Sequence, residues 1–233
     1  YYRIVINRTP NGAPAINEIQ FNFTPTGSVT WVDPAEDVWG ATTNFDLTVN
    51  VAGFADPISS VSIFSGPLLL GTATPNGDGT YTLPWTPSGF GIYELSALAV
   101  STTGVAKFTE DTVTVTVPGY VSPDGSGDGT TWANAFSLAS AITAVNNSNG
   151  SLSLLFEEGT YTLTGNIGTV SEDFRFYGSM KEGESNPDER SHQVRYEGPS
   201  TIFDGGGTYT GFDVPADTLS YGCSVNAITF QNF

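Results

Sequence analysis

Val113, Val115 and Val117 alternate with Thr112, Thr114 and Thr116. A period of two marks a strand with one face buried and the other in water. Alternation of this kind, or a short apolar run bounded by Gly, Pro, Asn and Ser, recurs through the stretch before it. It predicts strands at Val29 to Val32, Phe45 to Val51, Ser60 to Phe64, Leu68 to Thr72, Gly79 to Pro84, Gly91 to Val100 and Lys107 to Val117. Short strands separated by closely spaced turns call for a β-sandwich over residues 24–118. Upstream, Ile4 and Ile6 alternate with Arg3, Val5 and Asn7, and Ile16, Ile19, Phe21 and Phe23 form a second apolar set. Residues 1–23 thus predict two strands around a turn at Thr9 to Pro14. A lone strand pair is not stable in water. This one is expected to pack on the next domain or to complete a sheet in another copy.

Beyond Pro118-Gly119, a linker short enough to align two domains, the pattern changes. Residues 124–129 are turn residues throughout (Asp-Gly-Ser-Gly-Asp-Gly). Ser137 offers a helix N-cap, and Leu138, Ala141, Ile142 and Val145 follow at the spacing of one apolar helical face. Asn146 to Gly150 stops that helix, and Ser151 to Phe156 has the length of a buried strand. Tyr120-Val121-Ser122-Pro123, Gly125 to Ala135 and Glu158-Gly159-Thr160-Tyr161-Thr162 together resemble the opening of a secreted right-handed parallel β-helix of the pectin-lyase-like kind. The resemblance implies a helix that caps one end. It implies a first coil from Leu152 to Phe156, Thr160 to Leu163 and Ile167 to Val170. A second coil would take Phe174 to Tyr177 and Thr201 to Gly205, and a third Gly211 to Val214 and Ser224 to Phe230. The charged segment Gly178 to Ser200 is expected to interrupt the coil and project outward.

Two further resemblances complete the organisation. Ser62-Ile63-Phe64, Leu70-Gly71-Thr72, Gly79-Thr80-Tyr81-Thr82, Trp85-Thr86-Pro87 and Gly91-Ile92-Tyr93-Glu94-Leu95 resemble Ig-like repeats of bacterial surface and glycan-active proteins. That implies a corner tyrosine at Tyr93. Trp85 reads as core, with a sugar-stacking platform as its alternative. Residues 1–6 and Asn17 to Phe21 resemble the last strands of a discoidin-like domain. The expected fold is therefore all-β: a strand pair (1–23), an Ig-like β-sandwich (24–118), and the start of a right-handed parallel β-helix with an N-terminal capping helix (119–233). Twenty-seven Gly and fourteen Pro in 233 residues agree with many short strands and turns.

Charge narrows the partners. Seven basic and twenty-four acidic residues give −17, which disfavours nucleic acid and anionic membrane surfaces. No run reaches the roughly 20 apolar residues of a membrane span. Cys223 is the single cysteine, so no intrachain disulfide forms, and His192 is the single histidine. Cys223 reads as a small apolar residue in a strand-like stretch rather than a thiol nucleophile.

Candidate chemistry is sparse. A glycosidase needs paired carboxylates, and Asp204 and Asp213 are the acids on neighbouring coil faces. Arg175, one strand earlier, is expected to pair with an acid. Asp124 and Asp128 are candidate Ca²⁺ ligands, with turn residues bonding their own backbone as the first reading. Asn7, Asn22, Asn146 and Asn149 stand in N-linked acceptor triplets. Thr112 and Thr218 stand in Asp-Thr-aliphatic triplets similar to the O-glycosylation sequence of Bacteroidota secreted proteins.

The chain begins without Met, which predicts a processed chain or a fragment, and it stops where β-helices of this kind usually continue. Two or three coils would leave an open end, a template for pairing. The expectation is a noncatalytic extracellular or cell-surface protein, a self-assembling fibre or appendage subunit associating head to tail by strand donation. Its interface residues would be Tyr1, Ile4, Ile6, Ile19 and Phe21 at one end and Val225, Ile228, Phe230 and Phe233 at the other. The alternatives are the N-terminal part of a polysaccharide-binding or polysaccharide-degrading β-helix protein (a lyase or glycoside hydrolase, if an enzyme) and a phage tail or capsid-fibre protein.

Overall fold

The structure is a computed structural model that describes residues 27–40, 44–148, 152–170, 174–191, 194–213 and 223–233. Tyr1, Ile4, Ile6, Asn7, Ile19, Phe21, Asn22, Asn149, His192 and Thr218 lie outside the described residues.

The fold is all-β, as the alternation predicts. The first ten strands are β1 (Ser28–Asp33), β2 (Val38–Trp39), β3 (Phe45–Ala52), β4 (Ile58–Ser65), β5 (Leu68–Thr72), β6 (Thr74–Pro75), β7 (Thr80–Trp85), β8 (Gly91–Ser101), β9 (Ala106–Phe108) and β10 (Val113–Val117). One sheet runs β1-β3-β7-β6. The other runs β2-β10-β8-β4-β5, with β9 beside β8. Alternate residues from both sheets meet in one core: Val29, Leu47 and Val49 from the first, Ile63, Leu95 and Ala97 from the second. Burial in β8 falls on every second residue from Leu95 to Ser101, so one face of that strand enters the core. The predicted strand over 107–117 divides at Thr109 to Thr112, where the chain leaves β9 on one stretch of β8 and returns as β10 on another.

From Gly119 onward pairing among the described residues is parallel. β11 (Gly119–Val121), β12 (Leu152–Glu157), β15 (Phe174–Met180) and β18 (Ser224–Asn226) stack into one face of a coil. β13 (Gly159–Thr162), β16 (Thr201–Asp204) and β19 (Ile228–Gln231) form the second. β14 (Gly168–Thr169) and β17 (Phe212–Asp213) form the third. The stretch 224–230, expected as one strand, splits over two faces at Ala227, a corner residue with φ 58°.

Helix α1 (Leu138–Asn146) closes one end. Ser137 Oγ accepts from the Ser140 backbone N–H at 3.1 Å, and Ala141, Ile142 and Val145 are buried in the same cluster as Leu154, Phe156 and Phe176. The glycine-rich loop lies flat against residues 134–136. Gly127 N–H donates to Ala135 O at 2.8 Å and Gly129 N–H to Asn134 O at 2.7 Å. A Cβ at Gly127 would overlap the Asn134 carbonyl, and one at Gly129 (φ +76°) would overlap the Phe136 ring. These glycines admit a close backbone approach as well as a turn.

The outer face of the β11-β12-β15 sheet is not solvated. Leu155 and Met180 are fully buried there together with Tyr120, and Trp39 meets Tyr177 edge to face at 5.7 Å. β12 packs against β8, so the sandwich covers this face. The charged segment 181–200, expected to project, folds back instead. Trp132 Nε1 donates to Glu184 O at 2.9 Å, and Arg190 Nη1 donates to Asn226 Oδ1 at 2.9 Å. Its single turn Pro187–Glu189 carries a capping box from Asn186 and Glu189. A short helix, α2 (Val194–Glu197), completes the segment.

Candidate functional site

The interior of the coil is an aromatic column. Tyr161, Phe203 and Phe230 occupy one register position on β13, β16 and β19. Tyr161 meets Phe203 at 5.3 Å and Phe203 meets Phe230 at 5.4 Å, both edge to face. On the neighbouring face Leu154, Phe176 and Val225 share a register position. Tyr161, the lowest member of its column, donates its hydroxyl to Val121 O at 2.9 Å. Burial, with Glu157 nearby, pushes its phenol well above the ordinary tyrosine range.

The column changes character one step up. Phe176 and Phe203 are fully buried, whereas Val225, Phe230 and Phe233 are 40 %, 42 % and 46 % exposed. Phe233 leans on Phe230 at 5.9 Å. Among the described residues β18 pairs with β15 and β19 with β16, each at the end of its sheet. Three of the four residues expected at this end are thus brought together as an exposed apolar row over one bore. The fourth, Ile228, is half-buried and packs into the coil core. It is a corner residue rather than part of the exposed row.

Asp204 fastens the corner beneath that row. Its carboxylate accepts from Gly206 N–H at 2.9 Å, Gln231 Nε2 at 3.0 Å and Asn232 Nδ2 at 2.9 Å. The Gly206 backbone bond, then Asn232 and Gln231, hold it below the ordinary aspartate value of 3.8. Asp213 lies on another face, on β17. A buried hydroxyl ties the next corner: Thr201 Oγ1 donates to Glu157 O at 2.9 Å and accepts from Ser179 N–H at 2.7 Å.

Other expected residues fall elsewhere. Asp128 Oδ1 accepts from the backbone and hydroxyl of Thr130 at 3.1 and 2.6 Å, the turn role expected of aspartate. The Thr130 hydroxyl, followed by its backbone N–H, lowers the carboxyl below its ordinary value. Among the described residues no group of three or more His, Cys, Asp or Glu is placed to hold a metal ion. Arg175 lines a crevice between β15 and the sandwich with Glu94, Ser65 and Pro67, and no ion pair joins it among the described residues. Thr112 is exposed. Asn146 is half-buried and its amide donates to Thr169 O at 2.9 Å, tying α1 to the third face. Tyr93 is the corner tyrosine, its hydroxyl donating to Gly89 O at 2.8 Å. Trp85 stacks edge to face on Phe45 and Tyr93 and packs on the sandwich core. Cys223 packs against the coil core just before β18.

One surface was not expected. Leu68 and Leu69 are 65 % and 53 % exposed on β5, and Phe108 is 54 % exposed. The signal was available in the three consecutive leucines 68–70, which no period-two strand can bury on one face.

No family model matches the chain, and no curated protein matches it. Among solved structures it is similar to fibronectin(III)-like modules of Clostridium thermocellum CbhA, at 26 % identity over 38 % of this chain and 92 % of that one, TM-score 0.33. A modular endo-β-1,4-mannanase from Cellulomonas fimi matches at 22 % identity over 40 % of this chain and 19 % of that one, TM-score 0.31. A family 28 exopolygalacturonase from Yersinia enterocolitica matches at 16 % identity over 60 % of this chain and 28 % of that one, TM-score 0.23. The chain thus spans about a fifth of the mannanase. At these scores the likenesses say nothing of activity.

Proposed function

We propose that this chain is a noncatalytic extracellular structural or adhesive protein, a subunit that associates with further copies of itself into a surface fibre or appendage. Its contacts are strand donation from residues 1–23 and the covering of the upper coil face. One observation supports this above the others. The aromatic column is buried at Phe203 and 42 % exposed one step higher at Phe230, so the upper face offers apolar surface for a partner to cover. Covering the bare parts of Val225, Phe230 and Phe233 is worth about 1 kcal/mol each, a fraction of full side-chain burial. β18 and β19 end their sheets among the described residues, and pairing at a sheet end gives a contact direction. Asp204, beneath this face, is held by three hydrogen bonds at a corner, a structural use of a carboxylate.

The test is Phe230→Asp. Sedimentation velocity over a range of concentrations should show association of the wild-type chain and at least tenfold weaker association of the variant. Equal association of the two would remove the coil face from the interface.

A further inference from the structure

We infer that the edge of β5, which has no outer neighbour among the described residues, is the acceptor for residues 1–23 of a second copy, which add to the sandwich as a strand hairpin. The inference rests on the strand donation proposed above and names the surface that receives the donor.

The edges of the sandwich are not alike. β2 and β6 are two residues long, and β6 contains Pro75. β1 has a register shift between Trp31 and Asp33 and ends on that charge. Shortness, proline, irregularity and charge are the usual guards of an edge. β5 has five residues with no charge and no proline. Its one irregularity is an extra residue against Ile63 and Phe64. Leu70 there packs on the core, and Leu68 and Leu69 are left exposed. Leu69 pairs with Phe64, and Leu98 pairs with Phe108. Opposed residues share a face, so this edge borders an apolar surface that the coil leaves bare.

Two arguments select the occupant. The first is charge. Arg3 and Arg8 against Glu18 give residues 1–26 a net +1, which leaves −18 of the total −17 on the rest of the chain. Glu94 and Arg175 both border the start of β5, so the selection comes from the net charges: a donor of the opposite sign is attracted to the acidic body of a second copy, where a second acidic surface would be repelled. The second is reach. β1 sits at one margin of the sandwich, against β8 and β9, and β5 at the other, against β7. Two strand spacings separate β1 from β7, and a sheet-to-sheet gap separates β7 from β5, about 10 Å for each step. The way from β1 to β5 must also pass around the outside. Residues 24–26 span at most about 14 Å. They cannot carry a hairpin ending at Phe23 from β1 to the β5 edge of its own chain. A second copy can.

The experiment uses the full chain. Hydrogen exchange of the Leu68–Thr72 amides is compared in dilute and concentrated solution, and association is measured for wild type, Leu69→Lys and Thr102→Lys. Leu69 is exposed, so its substitution should leave the melting temperature unchanged. Thr102→Lys makes the same charge change at an exposed turn. The inference predicts at least tenfold slower exchange along β5 on concentration. It also predicts at least tenfold weaker association of Leu69→Lys, with Thr102→Lys behaving as wild type. Three outcomes overturn it. In the first, association persists while β5 exchange does not respond to concentration, or Leu69→Lys associates as wild type; self-association then stands and runs through another surface. In the second, β5 is equally protected at every dilution, and the occupant lies in the same chain. In the third, no association occurs at any concentration, and the self-association reading fails as well.

Discussion

Phe203 touches Phe156, Tyr161 and Phe230 and has no exposed surface. Truncation there leaves a cavity where two coil faces meet. Phe203→Ala is therefore expected to lower stability by about 3–5 kcal/mol in chemical denaturation. The role of Phe203 was legible, because an apolar residue ahead of Asp204-Gly205 sits in a strand-to-corner pattern. The partners of Asp204 were not, since Gln231 and Asn232 come from the next coil. Glu157 supplies a pH signature. Burial first, then the charges of Glu182, Glu158 and Asp124, raise its carboxyl above the ordinary value of 4.5. A folded-state value above the unfolded one means that stability falls as pH rises from 4.5 through the raised value. Glu157→Gln should thus raise the melting temperature at pH 7, with the gain vanishing below pH 4.5. A gain that persists in acid would show that charge is not its source.

At the scale of elements, local rules carried the reading where the determinants were local. The Ser137 cap and the Leu138–Val145 face needed nothing beyond the helix itself, and both are present. The longer strands of both sheets followed from alternation and short apolar runs, while the two-residue strands β2 and β6 did not. Where the determinants were distant, the sequence was silent. The corner at Ala227 has φ 58° without a glycine to mark it. The return of segment 181–200 depends on Trp132 and Asn226, far along the chain in each direction. Glu184 shows how firmly that segment is held. Burial acts to raise its carboxyl, but the backbone N–H groups of Lys181 and Ser191 and the Lys181 charge outweigh it and keep the group below its ordinary value. The exposed β5 edge was missed for a related reason. The run 68–70 was legible as a strand, but only the sheet order makes it an edge.

At the scale of the molecule, α1 closes one end of the coil, the sandwich covers one outer face, and two apolar surfaces among the described residues stay bare. These are the row over the coil bore and the β5 margin of the sandwich. Both can be satisfied by copies of the same chain, and a heterologous contact that does not close on itself propagates as a filament. If residues 1–23 act as the donor, their removal should leave the two folded units intact and abolish association. Electron microscopy of the purified full chain beside a chain lacking residues 1–23 tests this most directly. The account predicts filaments from the full chain and discrete particles from the shortened one. Discrete particles from both at every concentration, or the same filaments from both, would contradict it.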